Sequence, residues 1–152
     1  MKFLKWFLIL LIAIPAVIVA SAYIRNKPVG PTGWAEDNTI KRLRAKMKDP
    51  DSMAIRESFF VHKIDAKNDE EIFMCGIVDG RNSFGGFTGG TRFASRSVSS
   101  KRLGTFDTYA VEIEDVEQKA LASSVKMLSS FAKVYWNEYC VDATHPPITQ
   151  TK

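Results

Sequence analysis

The sequence predicts an α+β domain: a small antiparallel sheet of three to four strands, with an N-terminal helix and a long C-terminal helix packed on it, preceded by one transmembrane or signal segment. Three observations predict it. Residues 6–24 run nineteen positions without a charge. Between residues 53 and 113 the chain divides into short apolar runs of strand length, separated by polar or glycine-rich stretches. On either side of that block, apolar residues recur at spacings of three and four. A helix, several strands and a helix in that order argue for both helices on one face of an antiparallel sheet.

Composition bounds the answer. With 152 residues, 45% hydrophobic, 11% aromatic and a formal charge of +4, the chain is not disordered as a whole. Nine glycines, six prolines and two cysteines exclude collagen-like, low-complexity and disulfide-scaffold classes. The length suits one ordinary domain and not a large two-domain enzyme.

The N-terminal segment comes first. Lys2 and Lys5 precede the uncharged run, and none of the 17 acidic residues lies before Glu36. That asymmetry gives the positive-inside orientation, with everything after residue 24 exported. Ala20-Ser21-Ala22 has the form of a signal-peptide cleavage site. The run is also long enough to span a bilayer, and Tyr23, Arg25 and Lys27 suit its interface. The reading adopted is an uncleaved anchor over 1–24; the alternative is cleavage after Ala22 and a soluble exported protein. Pro28, Gly30, Pro31 and Gly33 make 25–33 an extended linker, so the folded domain is expected over 34–140 and a flexible tail over 141–152.

Within the domain, Asp37, Asn38 and Thr39 offer N-cap side chains for a helix through Lys48, with Ile40, Leu43 and Met47 as its apolar stripe. Asp49-Pro50-Asp51-Ser52 ends it, because the residue before proline is pushed out of the helical region. Strands are expected at 53–64, 72–78, 92–98 and 105–113, the last alternating Tyr109, Val111 and Ile113 with Ala110 and Glu112. The closing helix is expected from Asp115 to Tyr139, on the stripe Leu121, Val125, Leu128, Ala132, Tyr135 and Tyr139.

Cys75 and Cys140 are the two cysteines, and in an oxidising compartment such a pair usually forms a structural disulfide. A redox pair is the other reading, without a C-x-x-C motif to support it. The stretch 80–92 holds five of the nine glycines together with Arg81, Phe84, Phe87 and Arg92. It lacks both the P-loop ending and the dinucleotide spacing. Its plain reading is a set of tight turns whose phenylalanines fold back onto the core. Its functional reading is a partner-binding loop carrying aromatic and arginine anchors, here Arg81, Phe84, Phe87 and Arg92. Lys41, Arg42, Arg44, Lys46 and Lys48 place five cations on the first helix. The plain reading is a solvated face; the functional one is a membrane surface facing anionic headgroups. Export argues against a nucleic-acid partner.

Catalytic signatures are thin. Ser123-Ser-Val-Lys126 matches the S-x-x-K pattern by chance, without its partner motifs. His62 and His145 stand alone, Asp79, Asn82 and Ser83 only loosely suggest a calcium loop whose twelfth position is Gly90, and no cofactor or metal site is expected. Of the acidic group Glu112, Glu114, Asp115 and Glu117, the last two suit a helix N-terminus.

Lys48-Asp-Pro-Asp-Ser-Met-Ala-Ile-Arg56, then Met74-Cys-Gly-Ile-Val-Asp-Gly-Arg-Asn-Ser-Phe-Gly-Gly-Phe-Thr-Gly and Tyr135-Trp-Asn-Glu-Tyr-Cys140, resemble a loose group of small exported bacterial and prophage-associated proteins of unknown function. The resemblance covers about residues 40–140. It implies that Cys75 and Cys140 belong together and that Asp49 to Ser52 is a fixed turn, and it carries no activity across. The expectation is then a non-enzymatic periplasmic module, tethered to the bacterial inner membrane by residues 6–24, that binds an envelope protein or cell-wall component as inhibitor, immunity factor or scaffold. A small cell-wall-acting enzyme and a cleaved, secreted effector are the alternatives. Oligomeric state is not legible.

Overall fold

The computed structural model describes residues 30–149. The expected signal segment at 1–24 and the first part of the linker lie outside the described residues. Among the described residues no helix is long and apolar enough to cross a membrane.

Helix α1 runs Gly30–Lys46, starting seven residues before Asp37, the first of the expected N-caps, and ending two residues short of Lys48. Residues 30–33 are therefore helix and not extended linker. Pro31 sits in the first turn, where a missing N–H costs nothing. Ala35, Thr39 and Leu43, each four apart, form the buried stripe. Thr39 is thus no N-cap: it lies mid-helix, and its hydroxyl donates to Ser95 Oγ at 2.9 Å inside the core. A 3-10 turn at Pro50–Ser52 occupies the expected Asp49–Ser52 stop.

Four strands follow as an antiparallel meander in the order β1-β2-β3-β4: β1 Ala54–Ile64, β2 Glu70–Asp79, β3 Thr91–Ser100 and β4 Thr105–Ile113. β2 is buried along nearly its whole length, as an apolar run between two covered faces must be. Alternation along β2 sorts its side chains. Met74 and Val78 join Leu43, Phe93 and Val111 under α1. Phe73 and Cys75 join Val61, Ala94, Phe131 and Cys140 on the other face. The two helical layers therefore lie on opposite faces of the sheet, not on one. Adjacent β2 residues point to opposite sides, and both sides of this strand are apolar.

The long C-terminal helix is broken in two. Helix α2, Val116–Ser124, is capped by Asp115, whose carboxylate accepts from Gln118 N at 2.8 Å, with Glu117 in its first turn. It ends in a left-handed Lys126 at φ 57°. Lys126 N donates to Ser123 O at 3.1 Å and Met127 N to Ala122 O at 2.9 Å, the pair of bonds that closes a helix through such a residue. Leu121 and Val125 consequently face solvent, and the continuous six-turn stripe does not exist. Ser129 restarts the helix by accepting from Ala132 N, and Phe131 and Ala132 turn inwards. A π-helical stretch, Ala132–Trp136, then leads into α3, Asn137–Tyr139.

A disulfide joins Cys75 of β2 to Cys140 just beyond α3, with Cα atoms 5.8 Å apart. Residues 141–149, expected as a flexible tail, fold back on the domain. Asn137 exchanges two hydrogen bonds with the Ile148 backbone at 2.8 and 2.9 Å, and His145 stacks on Phe59 with ring centroids 3.6 Å apart.

Candidate functional site

The residues of interest gather at one end of the sheet, where β2 passes into β3 and where α1 and β4 finish. The 80–90 connection is built on two side-chain anchors, the Asp79 carboxylate and the Asn82 amide oxygen. Asp79, almost fully buried, accepts from Gly80 N at 2.8 Å and from both Thr88 N and Thr88 Oγ1 at 3.1 Å, which clamps the two ends of the loop together. Its other oxygen accepts from Arg56 Nη2 at 2.8 Å. Arg56 reaches it because the β1–β2 register shifts between Ile55 and Glu57, leaving Arg56 as the extra residue of a bulge that re-aims its side chain. Its hydrogen bond is the first cause holding the Asp79 carboxyl below its ordinary value, against the desolvation that opposes it.

Further out, Asn82 Oδ1 accepts from Phe84 N at 3.0 Å and Gly86 N at 3.1 Å, and Asn82 N donates to Gly86 O at 2.8 Å. Gly90, at φ 87°, is tied to its identity because a Cβ there would stand 2.8 Å from Ile77 Cγ2. The loop is thus pinned at its base and knotted at its tip. Phe84 caps it at 96% relative exposure. The plain expectation that both phenylalanines fold onto the core fails, because the two anchors hold the loop away from it. Phe87 has two guanidinium groups over its ring, Arg56 and Arg81, each 5.6 Å from the ring centre.

Of the other residues singled out, Arg92 is spoken for internally. Its Nε and Nη2 donate to the two oxygens of buried Glu114 at 2.8 and 2.6 Å, and its guanidinium lies 5.4 Å from the Trp136 ring centre. It braces the sheet against the C-terminal layer, with its guanidinium taken up by Glu114 and Trp136. Glu114 also accepts from Ser129 Oγ at 3.2 Å, so it holds the restart of the C-terminal helix in place. Sequence reasoning missed Asp79 and Glu114 as organisers. An acid closing an apolar strand run is the signal that could have found Asp79; Glu114 stands among three other acids and carries no such signal.

The basic residues of α1 are not one free face. Lys41 pairs with Asp37 at 2.6 Å, Arg42 with Asp107 at 3.8 Å and Lys46 with Glu112 at 3.1 Å. Arg44 and Lys48 make no ion pair among the described residues. Lys46, Lys48, Arg81, Asn82, Glu112 and Asp115 line an open cleft of about 490 Å³ between the end of α1 and the loop. Its carboxylates are committed: Glu112 to Lys46, Glu114 to Arg92, and Asp115 to the α2 cap. Among the described residues no three histidine, cysteine or acidic side chains meet as metal ligands. What the arrangement offers chemically is a rigid aromatic tip beside a polar cleft with cations at its rim.

Comparison with protein-family models, with curated proteins and with solved structures finds no match for this chain.

Proposed function

We propose that the chain is a non-enzymatic binding module, tethered to the bacterial inner membrane by residues 6–24, which recognises another envelope component through the Gly80–Arg92 loop. The supporting observation is Phe84: a large apolar side chain held almost wholly in water by a loop that invests at least six hydrogen bonds in its own shape. A pre-organised aromatic loses little entropy on binding, the economy that makes such residues interface anchors. Arg81 and Lys48 beside it add cations suited to an acidic or carbonyl-rich partner surface. The role fits an inhibitor, an immunity factor or a scaffold.

The loop also stands at the end of the sheet away from Gly30. Trp34 packs edge-on against Phe106 at 5.6 Å, whereas Lys46 reaches Glu112, so α1 runs alongside β4 from its start to its end. Strands of ten residues, about 33 Å long, separate the loop from the end at which the chain enters the domain. The test is affinity capture from gently solubilised envelope with a tag at Lys152, comparing the wild-type chain with Phe84→Ala. One stoichiometric protein, lost from a normally folded Phe84→Ala variant, is the expected result. Equal recovery by both chains would reject the loop as the binding surface.

A further inference from the structure

The opposite end of the sheet has its own surface. The β1–β2 turn and the β3–β4 turn lie side by side there, because Glu70 pairs with both Ile64 and Ser99, and Ser100 with Thr105. Ile64, Asn68, Glu70 and Lys101 line one depression between them. Three large apolar side chains project from this end: Trp34 at the start of α1, Ile64 at 65% exposure and Leu103 at 59%. Leu103 stands at the tip of the Lys101-Arg102-Leu103-Gly104 turn.

Charge at this end is biased by what is already paired. Asp65 accepts from Lys67 N and Asp69 N, Glu70 is bonded to His62 at 3.1 Å, and Asp107 faces Arg42 and accepts from Thr108 N. Asp69 is buried. Lys67, Lys101 and Arg102 make no ion pair among the described residues. Asp65, Glu70 and Asp107 keep their charge and Glu36 is exposed. At the tip itself, Lys101 and Arg102 adjoin the exposed Leu103 with no acid paired to either among the described residues.

Chain length says what meets it. Residues 6–24 are uncharged, and only 25–29 stand between that run and Gly30. Six Cα steps reach at most about 22 Å, so this end of the domain can never be far from whatever residues 6–24 occupy. We infer that Trp34, Ile64 and the Lys101–Leu103 turn dock on an anionic lipid bilayer, an inference that rests on the tether reading above. Aromatic and apolar tips sit at the headgroup boundary, and each cation held at an anionic surface is worth about fivefold in partitioning. The membrane contact thereby moves from α1, whose last residue Lys46 lies about 24 Å from Gly30 with Lys48 beyond it, to the two turns.

The test uses the full chain reconstituted into vesicles of phosphatidylethanolamine and phosphatidylglycerol, into phosphatidylcholine vesicles, and in detergent. Amide hydrogen exchange is followed at residues 64–68 and 100–105. Exchange at both turns should slow several-fold in the anionic vesicles only, and Lys101→Glu with Arg102→Glu should remove the effect while leaving exchange in β2 unchanged. Protection that persists in detergent would mark contact with a protein, such as a second copy, and would overturn the inference. A chain that resists carbonate extraction yet shows no protected turn overturns the docking alone, and a chain released by carbonate overturns the tether reading and the docking with it.

Discussion

Arg56 donates to the buried Asp79 carboxylate at 2.8 Å while its guanidinium lies 5.6 Å from the Phe87 ring centre, so one bulge residue in β1 supports both the base and the flank of the exposed loop. This contact crosses 23 positions of sequence and depends on a register shift. Replacing Arg56 by Ala should leave the sheet intact and loosen the loop. Limited proteolysis within residues 81–89 should accelerate several-fold, with the far-UV spectrum unchanged; an unaltered cleavage rate would show that Asn82 alone holds the loop.

Phe84 and Phe93 make a contrast in burial. Phe84→Ala removes a side chain that touches mostly water, and the unfolding free energy should move by no more than about 0.5 kcal/mol. Phe93 is fully buried beneath α1, and Phe93→Ala should cost about 3–5 kcal/mol. Urea titration checks both. Only the first variant should affect recovery of the captured partner without affecting folding.

Gly76 is required by the same bulge. A Cβ there would lie 2.0 Å from the Glu57 carbonyl oxygen, a backbone atom that can retreat only by disturbing the β1–β2 pairing. Gly76→Ala should therefore destabilise the domain by about 2–3 kcal/mol. A urea midpoint indistinguishable from wild type would mean that β1 shifts freely.

The disulfide closes a separation of 65 residues and ties β2 to the C-terminal layer. Chain-entropy reasoning gives about 4 kcal/mol for a loop of this length, and measured losses run about 2–5 kcal/mol. Replacing both cysteines by serine should lower stability within that range and raise hydrogen exchange first across residues 129–140. Thiol counting on the unfolded, unreduced protein should find none free.

Acid should weaken the fold through two carboxylates. Asp79 is held below its ordinary value of 3.8 chiefly by Arg56, and Asp142 well below it, chiefly by the Thr144 hydroxyl and then by the Thr144 and His145 backbone. A carboxyl depressed in the folded state takes up protons first in the unfolded chain. Its stabilisation is present above the ordinary value and lost as pH falls through the lower, folded one. Stability from these groups should be level between pH 7 and about 5 and decline below about 4. Asp142→Asn should flatten that decline, as read from urea midpoints across the range.

Much of the framework was legible from one-dimensional patterns. The β4 limits, the Asp49–Ser52 stop and the Asp115 start of α2 follow from local rules of alternation, proline sterics and capping, and the cysteine pairing matches the expectation for an exported chain. The helix break at Lys126 was not legible. Leu121 and Val125 complete a helical stripe on paper, and no glycine or proline marks the stop. The start of α1 was hidden for the converse reason, since Pro31 and Gly33 read as linker until burial of Ala35, Thr39 and Leu43 outweighs them. Arg92 illustrates the same limit at the site. Its residue type suits a partner surface, and only the neighbouring Glu114, 22 positions away, turns it inward.

By itself the sequence determined the α+β class, the strands and the cysteine pair, because period and capping act between near neighbours and two cysteines allow a single pairing. Tertiary structure decided which helix covers which face, that Asp79 and Glu114 are hubs, that Phe84 stands in water, and that the two turns share one end with Trp34. Those outcomes depend on register and on a single bulge residue, and a shift of one position in a strand exchanges every inward side chain for an outward one.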